Sequence, residues 1–321
     1  MKMKMCRPQS LLALLTLCVG LVHSWDVAVS FGNELKFYTK ETLLSTIKIE
    51  SRSLTALAYD DVHNMILYVD KQPNGDAICG YTITSVENNC FTERTGRYIH
   101  GIAFDSVTDT IFFTDPVERT VNSFSLRPGS QNNPRGNFLM TIYEGRPRDI
   151  IVDSCKRHIY WLTTDKTDPT IERARLNGTE REVFQTMKSL YIDATYQFEP
   201  NSLAIDPQTQ TIYWNEPWNT TSFQAYYLTA QNKTEKMPLF PIPLAQNPVF
   251  IHPSNTFAIT NRLFYQVDFR YTGGNVYIFF KEFYDNISQV KIVHNGPGTM
   301  QPVGIVSNYP ITEQNQDCEI F

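Results

Sequence analysis

Four stretches of the chain repeat one pattern of apolar and polar positions. A short apolar strand closes on Asp, a polar turn follows, and a strand rich in aromatic and branched residues comes next. The pairs are Leu57-Ala58-Tyr59-Asp60 with Leu67-Tyr68-Val69-Asp70, and Ile102-Ala103-Phe104-Asp105 with Phe112-Phe113-Thr114-Asp115. Ile150-Ile151-Val152-Asp153 with Tyr160-Trp161-Leu162-Thr163, and Leu203-Ala204-Ile205-Asp206 with Tyr213-Trp214-Asn215-Glu216, complete the set. In each pair the first Asp precedes the last residue by ten positions, whereas the units are offset by 45, 48 and 53 residues. A constant interval inside a variable one predicts a rigid hairpin separated by loops that tolerate insertion.

The rest of each unit also reads as strand. Thr170 to Leu176 alternates apolar and polar residues, the mark of a half-exposed strand. Asn177-Gly178 predicts a two-residue type I′ turn, whose central positions both need positive φ, with Thr179 to Phe184 returning as an outer strand. The fourth unit offers Ser222 to Leu228 and Thr234 to Phe240, and the first offers Asp76 to Thr84 and then Cys90 onward. Four strands in 45–53 residues is the size of one propeller blade. Parallel β-helix repeats are much shorter, and an immunoglobulin-type sandwich would not repeat a motif four times.

The ends complete the count. Pro248 to His252, Arg262 to Phe269, Asn275 to Phe283 and Gln289 to His294 predict a degenerate fifth blade. Pro302 to Ser307 is a first strand without successors, while Trp25 to Phe31, Glu34 to Thr39 and Leu43 to Ile49 are three strands without a first. Joining them makes a sixth blade and removes an exposed sheet edge. The expected fold is therefore all-β, a six-bladed propeller over residues 25–310, its ring closed by one C-terminal strand joining three N-terminal strands.

Ahead of the repeats, Lys2, Lys4 and Arg7 precede an apolar run from Leu11 to Val22, with Val22 and Ser24 at the −3 and −1 positions before Trp25. This predicts a secretory signal peptide over 1–24. The run is shorter than the ~20 residues of a bilayer-spanning helix. Its removal leaves 297 residues and takes away three basic residues and no acid, moving the formal net charge from −5 to −8. An acidic chain without a basic run argues against a nucleic-acid partner. No later segment is apolar for ~18 residues, so no membrane span is expected in the chain.

An oxidising compartment changes the reading of the cysteines. Cys79 and Cys90 lie eleven apart across a predicted outer hairpin and are expected to pair, while Cys155 either stays unpaired or reaches Cys318. Sequons at Asn177, Asn219, Asn232 and Asn286 predict N-glycosylation.

Tyr160-Trp161 followed by Thr163, then Ile171-Glu172-Arg173-Ala174-Arg175-Leu176-Asn177-Gly178, resembles the YWTD repeat of low-density-lipoprotein-receptor class B modules. The Trp25-Asp26 start and the run from Arg146 to Trp161 are similar to the cueball-type group of insect proteins. That resemblance implies a YWTD-type propeller followed by EGF-like modules and a single membrane span, with a role in germ-cell development. Residues 311–321, ending Asp317-Cys318-Glu319-Ile320-Phe321, stand where a first EGF-like module would start, so the expectation is a truncated module there. The chain is then either secreted or the ectodomain of a type I cell-membrane protein. Cys318 would pair inside the EGF-like module of the full architecture.

Candidate chemistry is sparse. Asp60, Asp105, Asp153 and Asp206 suggest a carboxylate ring, but a strand-end Asp before a turn ordinarily accepts backbone N–H groups and fixes the hairpin. The Tyr-Trp and Phe-Phe pairs suit packing between neighbouring sheets. His63, His100, His158, His252 and His294 show no metal-ligand spacing, and no nucleophile elbow or phosphate-cradling glycine loop occurs. No catalytic, cofactor-binding or metal-binding residue is expected. Trp218, beside the Asn219 sequon, is a loop aromatic that would either anchor a partner or tuck against a blade edge. The expected function is extracellular protein binding without catalysis. The alternatives are a secreted propeller holding a small molecule in its central funnel, as in yellow-related proteins, and a calcium-dependent propeller hydrolase.

Overall fold

The computed structural model describes residues 25–187 except 41, 52 and 95; beyond them it describes 190–191, 197–198, 202–206, 211–219, 222–228, 234–237, 256–260, 263–270, 275–282, 289–294 and 302–308. The signal-peptide segment, the tail from 311, Cys318, and the Asn232 and Asn286 sequons lie outside the described residues. The first strands are β1 (Val27–Phe31), β2 (Glu34–Thr39) and β3 (Thr42–Lys48). The second group is β4 (Leu54–Asp60), β5 (Met65–Asp70), β6 (Ala77–Thr82) and β7 (Glu87–Cys90). The third is β8 (Ile102–Asp105), β9 (Thr110–Asp115), β10 (Thr120–Ser125) and β11 (Asn137–Thr141). The fourth is β12 (Arg146–Asp153), β13 (His158–Thr164), β14 (Thr170–Arg175) and β15 (Glu182–Thr186). A short ladder, β16 (Leu190–Tyr191) with β17 (Gln197–Phe198), precedes β18 (Leu203–Asp206), β19 (Thr211–Asn219), β20 (Ser222–Leu228) and β21 (Thr234–Met237). Last come β22 (Thr256–Thr260), β23 (Leu263–Arg270), β24 (Asn275–Glu282), β25 (Gln289–His294) and β26 (Pro302–Ser307).

The described strands form six four-stranded antiparallel sheets and the short ladder. Five sheets are consecutive meanders, and the remaining one has the order β26-β1-β2-β3, with Val27 opposite Ser307 and Val29 opposite Ile305. The expected C-terminal closing strand is therefore present. Innermost strands neighbour one another in the order β26, β4, β8, β12, β18, β22 and back to β26. This is a β-propeller, and no helix occurs among the described residues.

The second strands of the second, third and fourth sheets (β5, β9 and β13) are apolar almost throughout because both of their faces are covered. Along β5, Ile66 and Tyr68 enter the layer shared with the first sheet, while Leu67 and Val69 enter the layer shared with the third. Along β13, Ile159 and Trp161 pack with Ala103, Phe112 and Met140 of the third sheet, while Tyr160 and Leu162 pack with Leu203, Ile212 and Trp214 of the fifth. Alternate side chains of a strand point to opposite faces, so one strand serves two seams. Burying a large aromatic side chain contributes about 1.5–3 kcal/mol, so the Tyr-Trp pairs hold neighbouring sheets together. Sheet backbones also approach closely. A Cβ on Gly101 would sit 2.9 Å from Arg148 O, so this position between inner strands excludes a side chain.

Three elements differ from the sequence expectation. The Asn177-Gly178 turn is a three-residue turn: Gly178 N–H donates to Arg175 O at 2.8 Å, and Arg175 N–H to Thr179 O at 2.9 Å. Only Gly178 of the two takes positive φ (83°), so β14 ends at Arg175 and β15 starts at Glu182, later than Thr179. The outer strand of the second sheet runs up to Cys90 and does not start there; Glu87-Asn88-Asn89-Cys90 is exposed throughout and so carries no apolar alternation. The first strand of the β22–β25 sheet is Thr256–Thr260, and Pro248 to His252 lies outside the described residues. Thr260 pairs with Leu263 across a two-residue connection, shorter than the turns of the other units.

Candidate functional site

The innermost hairpins share one local geometry. Asp60 pairs with Met65, Asp105 with Thr110, Asp153 with His158 and Asp206 with Thr211, leaving four residues for each turn. The ten-residue interval is this turn plus the strand that follows. In three turns the carboxylate accepts the N–H of the third residue on: His63 to Asp60 (2.9 Å), Thr108 to Asp105 (3.1 Å) and Lys156 to Asp153 (2.9 Å). The fourth turn residue is left-handed each time: Asn64, Asp109 and Arg157 have φ of 51°, 54° and 59°. Asp60, Asp105 and Asp153 are buried, and Asp206 is partly exposed at the equivalent strand end. The carboxylates thus serve separate turns.

Neighbouring turns nevertheless touch across the seams. Arg157, in the fourth sheet's turn, places Nη1 at 3.1 and 3.3 Å from the two oxygens of Asp105 in the third. One seam earlier the equivalent residue is Asp109, which carries the opposite charge. There His63 Nδ1 lies 2.7 Å from Asp60 Oδ2 and 3.8 Å from Asp109 Oδ1. Burial pushes the Asp60 carboxyl above its ordinary range, the hydrogen bonds and charge of His63 oppose that, and Asp109 adds to it. For His63 burial works downward, but the hydrogen bond and charge of Asp60, with Asp109, outweigh it and raise the imidazole.

The opposite end of the strands carries its own set of ion pairs. Asp70 takes Arg94 Nη2 and Ser51 Oγ, and Gln72 donates to it at 3.1 Å. Lys71 Nζ is 3.1 Å from Asp76, which also accepts the Ile99 N–H at 2.8 Å. Asp165 faces Arg146 Nε at 3.1 Å and Arg148 Nη2 at 3.5 Å. Between these charges, in the connections that lead into β8, β10 and β12, stand Tyr98 (52% exposed), Val117 (58%) and Tyr143 (81%). Under the rim, burial pushes His100 down to about 3, helped by Arg148 and Lys71. Burial pushes Asp149 up to about 6, against the N–H groups of Leu203 and Ile150 and the Ser202 side chain. The Leu203 N–H donates to Asp149 Oδ2 at 2.8 Å, tying the fourth sheet to the fifth.

The remaining sequence candidates fall as follows. A disulfide joins Cys79 and Cys90, which sit directly opposite on β6 and β7. Cys155 is also disulfide-bonded, with its partner outside the described residues, so the unpaired alternative is corrected. Asn177 is exposed at its turn, where its Oδ1 accepts the Thr179 N–H (3.1 Å) and hydroxyl (2.7 Å). Asn219 and Trp218 belong to β19, and their side chains lie outside the described set. Two clusters of potential metal ligands occur among the described residues: Asp60-His63-Asp109, and Asp70 with the disulfide-bonded Cys79 and Cys90. The first was missed from sequence because its members come from two repeats. The only signal was Asp109 standing where Arg157 stands in the next repeat.

Comparison with known proteins adds a relationship. No family model matches the chain. It is similar to protein cueball of Drosophila yakuba, 25% identical over 201 residues that make up 61% of this chain and 30% of that protein. The corresponding values for protein cueball of Drosophila virilis are 27% over 227 residues, 66% and 34%. The chain thus matches about a third of the length of these relatives, and the cueball-type resemblance drawn from the repeats holds. Among solved structures, a chain in a nidogen–laminin complex superimposes with a TM-score of 0.66 at 16% identity, covering 89% of this chain and 98% of that one. That likeness is one of fold. No helix among the described residues is long and apolar enough to cross a membrane.

Proposed function

We propose that this chain, a β-propeller similar to cueball proteins, is a six-bladed, protein-binding unit of an extracellular or membrane-anchored receptor-like protein, and that it catalyses nothing. The cyclic order of the innermost strands and the β26–β1 pairing support six blades. The observation that carries the binding reading is the loop end, where Tyr98, Val117 and Tyr143 stand exposed among the Arg94–Asp70, Lys71–Asp76 and Arg146–Asp165 pairs. Exposed tyrosines ringed by charge are the usual composition of a protein-recognition surface. The neighbouring propeller chain comes from a nidogen–laminin complex, and a protein partner is carried over on that analogy. The similarity to cueball proteins extends the proposal to germ-cell development and to N-glycosylation in the secretory pathway.

The test is affinity capture from germ-line tissue with the secreted chain, the loop-end double variant Tyr98→Ser/Tyr143→Ser, and the turn-end double variant Val62→Ser/Val107→Ser. A partner retained by the wild type and the turn-end variant but lost by the loop-end variant is the expected result. Equal capture by both variants would refute the assignment of the face. Calcium-dependent turnover of lactone or ester substrates by the purified chain would refute the absence of catalysis.

A further inference from the structure

We propose that Asp60, His63 and Asp109 form a binding site for a divalent ion of the zinc class, spanning the seam between the second and third sheets. Repeat equivalence is the first ground. At the next seam the fold sets a cation, the Arg157 guanidinium, against the buried Asp105 carboxylate. Asp60 and Asp109 occupy those same two positions with the His63 imidazole beside both, so this seam presents two carboxylates and a histidine where its neighbour has an opposite-charge pair. A cation at this place restores the balance that the neighbouring seam obtains from its own side chain.

Geometry is the second ground. Tetrahedral zinc with ligands at about 2.1 Å needs ligand atoms roughly 3.4 Å apart. The His63 Nδ1 distances of 2.7 and 3.8 Å to Asp60 and Asp109 bracket that value, and all three donor atoms lie within 4.8 Å of one another. Asp109 Oδ1 is buried and has no hydrogen-bond partner, so a ligand atom is left over at the cluster. The His63 side chain is 47% exposed, which opens a fourth position to water and a path for the ion. An imidazole with two carboxylates selects zinc-class ions over calcium or magnesium, which prefer all-oxygen sites.

The site has a defined purpose in the fold: an ion held by residues of two sheets ties those sheets together. The experiment uses the full secreted chain, stripped with chelator and then dialysed against micromolar zinc chloride, with calcium chloride as the control. Wild-type protein is expected to retain one zinc per chain by elemental analysis and to melt several degrees higher with zinc than with calcium. Asp109→Arg copies the neighbouring seam and keeps the same left-handed backbone that Arg157 tolerates. It is expected to lose the zinc and the zinc-dependent shift while melting cooperatively. His63→Ala, in an exposed turn position, is expected to lose both as well, and supplies the comparison if Asp109→Arg does not fold. Absence of bound zinc in the wild type, or equal retention by either folded variant, would overturn the proposal.

Discussion

Removing the Arg181 guanidinium should weaken the seam between the third and fourth sheets more than its surface position suggests. Its Nε lies 2.7 Å from Glu172 Oε2, its Nη1 donates to Thr141 O at 2.9 Å, and its guanidinium stands 5.9 Å from the Trp161 ring. The Glu172 side chain is only 4% exposed, against 31% for Arg181. Arg181→Met keeps the aliphatic stem but leaves a buried carboxylate unpaired, a change that costs about 3–5 kcal/mol when the site is dry. Water reaching the exposed part of the arginine site lowers this, so a loss of about 2–3 kcal/mol is expected. The double variant Glu172→Gln/Arg181→Met carries no charge at the site and should recover to within about 1 kcal/mol of wild type. Urea unfolding of the disulfide-intact chain, followed by tryptophan fluorescence, reads these differences as midpoint shifts at constant slope. The reasoning is refuted if Arg181→Met unfolds within about 0.5 kcal/mol of wild type, or if the double variant is no more stable than the single.

Four further outcomes follow from the same structure. Asp149, pushed up to about 6 when folded, ordinarily titrates near 3.9, so it holds a proton in the folded state between those values and loses it above them. Its contribution to stability therefore falls as pH rises from about 4 to about 6, by no more than about 3 kcal/mol because part of the residue stays accessible; Asp149→Asn should remove that slope in pH-dependent melting curves. Replacing both Cys79 and Cys90 by Ser opens an 11-residue loop and should cost about 3 kcal/mol, seen as a lower urea midpoint than that of the oxidised wild type. Gly101→Ala sets a methyl group against the Arg148–Ile150 backbone and should cost about 1–3 kcal/mol in the same assay. Asn177→Gln should remove one enzymatically releasable glycan from the secreted chain, read as a mass difference.

The hairpins were legible because Asp60, Asp105, Asp153 and Asp206 each stand five residues before their cross-strand partners, and a fixed local interval survives in sequence. The outer strands were harder to read. Glu87–Cys90 is exposed on every residue, so nothing in its polarity marks it as a strand. Asn177-Gly178 suggested a tighter turn than forms, because Asn177 spends its side chain on Thr179 and keeps negative φ while Gly178 alone turns left-handed. Thr256–Thr260 was hidden by a connection of only two residues, which broke the spacing of the earlier units.

By itself the sequence determined the repeat, the all-β class, the pairing of Cys79 with Cys90 and the role of the turn carboxylates, all of which depend on residues close together in the chain. Tertiary structure decided which residues meet across the seams. Trp161 belongs with Phe112, Tyr160 with Trp214, Arg157 with Asp105, and His63 with Asp109. Those partners are separated by whole strands and loops of variable length, so no local interval encodes them. Their contact exists only because alternate side chains of each sheet face different neighbours, and because successive sheets stack with their turns at one end. The difference between Asp109 and Arg157 has chemical meaning only in that stacked arrangement.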